Sequence, residues 1–193
     1  MFNGRIDTLP SHVKLLIVVL SALVYFESFR LNHFLFSDFQ FTQRVHWVYL
    51  PGGLRLLLVL LFFDLGVAGI FIGSLMMNYV YFFDGDHVFA VAVSALVAFS
   101  AWLTRFLSLQ WFDLGENLTG LSLAIIFKMA LLLAVLSSLM LQCWFYINGK
   151  TSDFLNSFMV MALGKFTGTL IVLSIFSVVL RSLREMSSIR KKS

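Results

Sequence analysis

Residues 51 to 83 read PGGLRLLLVLLFFDLGVAGIFIGSLMMNYVYFF, and across that length only Arg55 and Asp64 carry charge. A helix needs about 20 predominantly apolar residues to cross the ~30 Å hydrocarbon core of a bilayer. Apolar blocks of spanning length recur as far as Leu180. Composition points the same way: the 193 residues are 60% hydrophobic and 12% charged, with mean hydropathy +0.91, whereas soluble domains are roughly 25% charged. The blocks far exceed the ~10-residue alternating strands of a membrane barrel, and inside a bilayer the alternative that satisfies the backbone is the helix. The fold class is therefore an all-α integral membrane protein whose solvent is the lipid bilayer.

Hydropathy predicts a bundle of about six transmembrane helices. The first covers about His12 to Phe29, the second about Val48 to Phe63, and the third the stretch LGVAGIFIGSLMMNYVYFF. The fourth is HVFAVAVSALVAFSAWLTRFL, behind the acidic link DGD at 84 to 86; the fifth spans about Leu118 to Ile147 and the sixth about Phe154 to Leu180. Residues 1–11 form an N-terminal segment, 12–180 the membrane domain, and 181–193 a basic tail. Five cations in that tail (Arg181, Arg184, Arg190, Lys191, Lys192) assign it to the cytoplasm. Six spans then put the N-terminus, with Arg5 and Lys14, on the same side and the DGD link outside. Arg30 and Arg44 run against this rule. The first helix follows a short basic stretch as a signal peptide would, but no small-x-small cleavage site comes after it, so it reads as an uncleaved span.

Three cations interrupt the apolar blocks: Arg55, Lys128 and Lys165. At ~1.5 Å per residue, Lys165 lies about 16 Å into the sixth helix and Lys128 about 15 Å into the fifth. Two lysines at one depth mark a site by default, because each costs roughly 2.5–3.5 kcal/mol there unless it faces a cavity or a partner. They are expected to line one cavity that suits a small anionic ligand, a carboxylate or phosphate. Snorkelling, or pairing with an acid, is the structural alternative. From Pro51 to Phe63 is only about 20 Å of helix, short of a full span. Either the helix begins earlier and tilts, or LPGGL is a broken start at membrane depth with Arg55 one turn further on, aimed into a watery cavity. Arg55 snorkelling toward Trp47 and Tyr49 is the competing geometry.

Two small-residue motifs, GIFIG (Gly69, Gly73) and GKFTG (Gly164, Gly168), each put both glycines on one helix face. Such a face lets another backbone approach closely, here within the monomer or between two copies. Catalysis has no support: His12, His33, His46 and His87 lack ligand spacing, and no nucleophile elbow, phosphate loop or dinucleotide fingerprint occurs. No catalytic residue, metal or cofactor is expected, and no nucleic acid. His33 and His46 read as interfacial residues and the lone Cys143 as a buried structural thiol.

The order of YLPGGLRLLLVLLFFDLGVAGIFIGSLMMNYV and FMVMALGKFTGTLIVLSIFSVVL resembles the membrane-associated sensor (MASE-type) domains of bacteria. These have a Pro-x-Gly helix start, an apolar run ending in a polar turn, a Gly-spaced helix, and a closing helix in which a polar residue and glycine precede an apolar run. The resemblance covers roughly residues 45 to 180. This chain has lysine where the family has aspartate near Gly164 and Lys165, about six spans where the family has about eight, and no fused output enzyme. The resemblance implies a non-enzymatic sensory or ligand-binding module of the inner membrane that acts in signal transduction through a separate partner protein. Two other readings remain. A compact six-helix chain is similar to the substrate-binding subunits of energy-coupling-factor transporters, and a structural subunit of a membrane complex would pair its buried lysines with acids of that complex.

Overall fold

The structure, a computed structural model, describes residues 8–42, 45–82, 85–112 and 122–190. It is helical apart from a short hairpin. The helices are α1 (Ser11–Phe36), α2 (Pro51–Tyr81), α3 (His87–Trp111), α4 (Leu123–Ile147) and α5 (Phe154–Arg190); β1 (Gln40–Thr42) and β2 (Val45–His46) pair antiparallel between α1 and α2. All five helices are long and apolar enough to cross a membrane, so the chain is a multi-pass membrane protein by its helices. Among the described residues five α-helices stand where six were expected, because the expected second and third helices are joined as α2.

Residue Phe63 inside α2 has φ 54° and ψ −127°, and the chain reverses there. In a straight helix Gly66 would lie about 12 Å along the axis from Leu58. Instead a Cβ placed on Gly66 would run into the Leu58 carbonyl oxygen. The neighbours of the two arms agree. Gly69 meets Val18 and Ser21 of α1, Gly73 meets Ala22 and Tyr25, and Tyr81 packs on Phe29 and His33. Residues 64–81 therefore run parallel to α1. The first arm follows α5: Gly52 lies against Lys165 and Thr169, and Gly53 against Thr169 and Val172. Asp64, exposed just past the reversal, marks the polar turn between the arms.

Local sequence explains the other boundaries. Pro51 opens α2, where its missing N–H costs nothing. Asp86 caps α3 by accepting from the Phe89 amide at 2.8 Å, and Ser122 caps α4 by accepting from Ile125 at 3.3 Å. The start of the fifth expected helix at Leu118 lies outside the described residues. Helix α5 continues past its expected end at Leu180 into the sequence assigned to the basic tail.

A candidate anion site in the bundle

The residues before Pro51 do not form helix, yet they sit against the middle of α5. A Cβ on Gly164 would overlap the His46 carbonyl oxygen, and one on Gly168 the Tyr49 carbonyl. The Tyr49 amide donates to the Gly164 carbonyl at 3.0 Å, and Asn32 Oδ1 accepts from the Leu50 amide at 2.8 Å. Gly164 lies ten residues, about 15 Å, from the start of α5. Of the two geometries open for LPGGL, the helix does not begin earlier: it starts at Pro51, and the irregular residues before it lie against the middle of α5, with protein on their polar backbone. The GKFTG face thus receives an irregular strand of chain, while GIFIG receives α1. Both glycine pairs pack within the monomer.

This arrangement drives Arg55 inward. It is 1% exposed, and its Nη1 donates to Ser137 Oγ of α4 at 3.0 Å. Lys165, 4% exposed, donates from Nζ to the same oxygen at 2.9 Å. A hydroxyl oxygen has two acceptor positions, and both are taken, so the Ser137 O–H is left to donate elsewhere. Arg55 Nε and Nη2 have no partner. Neither cation has an acid beside it among the described residues, although both nitrogens reach one oxygen and so lie within about 6 Å of each other, where like charges repel strongly in a low dielectric.

A cavity of ≈ 40 Å³ opens next to these groups. About 10–15 Å³ by this measure holds one water, so the space suits a few waters or a compact polyatomic ion. Tyr49, whose ring lies 5.9 Å from the Arg55 guanidinium carbon, forms one wall. His46, Asn78, Phe145 and Met161 contribute others. Asn78 is spent on the Ser74 carbonyl and Ser94 Oγ at 2.9 and 3.0 Å. His46 is 3% exposed with both ring nitrogens unpartnered, and burial, reinforced by His33, lowers its pKa to about 4. It is not the interfacial residue expected, since the hairpin tucks it beneath Phe29.

Of the three expected cations, Arg55 and Lys165 come together and Lys128 does not. Helix α4 begins at Leu123, which leaves Lys128 little more than one turn inside it. The side chain is exposed, with Nζ 5.6 Å from the Phe112 ring. Cys143 is likewise exposed on the outside of the bundle, not buried, because Leu141 and Gln142 occupy the inward positions of that turn. Ser137, the residue that joins the two cations, was missed. Its signal was the polar pair Ser137–Ser138 with Gln142 one turn on, in the middle of an apolar span. Glu27 and Arg30 form an ion pair at 2.9 Å, as their spacing suggests. Against family models, curated proteins and solved structures alike, the chain gives no match.

Proposed function

We propose that this protein is a non-enzymatic ligand-binding module of the plasma membrane, a sensor that acts through a separate partner protein. One observation carries the reading: Arg55 and Lys165, both buried, share Ser137 as acceptor and border a cavity with donors unspent. Buried cations without a counter-charge are costly, and proteins retain them at functional sites. The MASE-type resemblance supplies the sensory part: the two segments that carry it, the Pro-x-Gly start and the glycine-bearing closing helix, meet at this site, although this chain has Lys165 where the family has aspartate. The positive-inside rule places both termini in the cytoplasm and the hairpin end of the bundle outside.

A transported vitamin fits less well, because drug-sized ligands fill about 300–1,000 Å³ and this cavity is ≈ 40 Å³. A purely structural subunit would need partner acids to reach Arg55 and Lys165, which the monomer already encloses. The test is to crosslink the native protein in its own membrane and identify what comes with it by mass spectrometry. A signalling enzyme is the expected product; an ATPase would overturn the sensory reading in favour of transport.

A further inference from the structure

We infer that the group bound in this cavity is a compact oxyanion, a carboxylate or phosphate held by Arg55 and Lys165, the two cationic side chains that line it. The inference rests on the reading of the cavity as a ligand site and names the chemistry of its ligand. Donors converge here without acceptors. Arg55 retains Nε–H and Nη2–H unpartnered on a side chain that is 1% exposed. Lys165 has spent one of its three N–H groups on Ser137 Oγ. A neutral ligand would leave the buried Arg55 guanidinium uncompensated beside Lys165, and a cation would add a like charge.

Geometry also favours an oxyanion. The Nε and Nη2 edge of a guanidinium presents two parallel donors at the spacing of two oxygens on one carboxylate or phosphate. Lysine then serves as a point charge, while Ser137 holds both side chains in place from behind. The Tyr49 ring on one side of the guanidinium restricts its plane, and the apolar walls Val93, Val97 and Leu141 lower the local dielectric, which strengthens each charge-assisted bond. The small volume admits the oxyanion group itself and little beyond it, so a larger ligand would insert only this end.

The oxyanion has two possible sources, a free anion or a lipid headgroup, and one experiment separates them. The full chain is purified in maltoside micelles, which hold no oxyanion, at an ionic strength fixed with sodium chloride. Its Tm is followed while acetate, inorganic phosphate or phosphatidylglycerol is added. A free anion is expected to raise Tm saturably by about 5 °C. A rise with phosphatidylglycerol alone assigns the oxyanion to a headgroup. In either case Lys165→Met must abolish the response while melting at or above the wild-type temperature without ligand, since it replaces a buried amine beside the Arg55 guanidinium by an apolar side chain of similar length. Arg55→Lys, which keeps charge and loses the fork, must weaken the response at least tenfold in half-saturating concentration, and it serves if the methionine variant does not fold. No response to any of the three, or a response that both variants retain, overturns the inference. A partner captured by crosslinking alongside such a failure removes the oxyanion alone, whereas an anion response without a captured partner removes the sensory reading and leaves the site.

Discussion

Ser137 separates two charges that would otherwise confront each other, and this makes it the most informative single residue in the bundle. Removing its hydroxyl in Ser137→Ala leaves Arg55 and Lys165 without their acceptor. The expected loss is about 1–3 kcal/mol, read from unfolding in mixed micelles, and an unchanged stability would show that the cations find other acceptors. His46 makes a second residue-scale prediction. Its pKa is depressed from 6.5 to about 4, so between those values the unfolded chain binds a proton that the folded chain does not. Stability should be full above pH 6.5 and fall on acidification toward pH 4, by on the order of 3 kcal/mol. His46→Gln should flatten that part of the pH profile. A wild-type profile flat over the same window would mean that the buried imidazole is solvated in the membrane protein.

At the scale of elements, α2 concentrates the unusual backbone. The φ/ψ of Phe63 matches the first central position of a type II′ turn, which glycine prefers, and a non-glycine residue held there costs on the order of 1–3 kcal/mol. Phe63 compensates with its ring, which is 3% exposed and lies 4.2 Å beneath the Arg105 guanidinium carbon. Phe63→Ala and Phe63→Gly both lose that ring, but only glycine relieves the backbone. Phe63→Gly should therefore be the more stable of the two by about 1–2 kcal/mol, opposite to the order in a regular helix, where alanine leads by about 1 kcal/mol. The regular order would mean that residues 51–81 do not reverse at Phe63. Helix α5 has an equivalent weak point at Gly164, where a side chain would overlap the His46 carbonyl. Gly164→Val should cost at least ~1–3 kcal/mol and weaken any ligand response, because the segment it displaces carries Tyr49 and leads into Arg55.

For the whole molecule, the reversal in α2 sets which loops share a side of the membrane. Residues 64–81 run parallel to α1, so Ser11 and Asp64 lie toward one end of the bundle, and the links at Gly85 and Gly149 lie at the other. With Cys143 replaced by serine, single cysteines at 64 and at 149 should label with an impermeant maleimide from opposite sides of sealed vesicles. Labelling from the same side, or protection at 64, would contradict the hairpin. The layout also bears on ligand access. The cavity walls Phe29, Phe82 and Phe145 lie at the end of the bundle that carries the links at 85 and 149, so a free anion, if the proposed site takes one, should act from the side that labels residue 149.

The sequence determined the class of the protein and most of its boundaries, since apolar length, proline, caps and acidic links act locally and a helix in lipid satisfies its own backbone. It also singled out Arg55 and Lys165 by the cost of placing charge among apolar residues, and it left GIFIG and GKFTG open between packing within the chain and packing between chains. Depth and facing were not legible. Lys128 was read as deep because apolar length alone extended the fifth helix back to Leu118, past the Ser122 cap that starts α4, and Cys143 as buried because burial habit says nothing about which side of a helix faces lipid. Ser137 and His46 became site residues only through contacts between segments far apart in the chain. The tertiary structure alone decided that two cations meet over one hydroxyl, because that depends on the glycines that let an irregular segment settle against α5 and turn Arg55 toward α4.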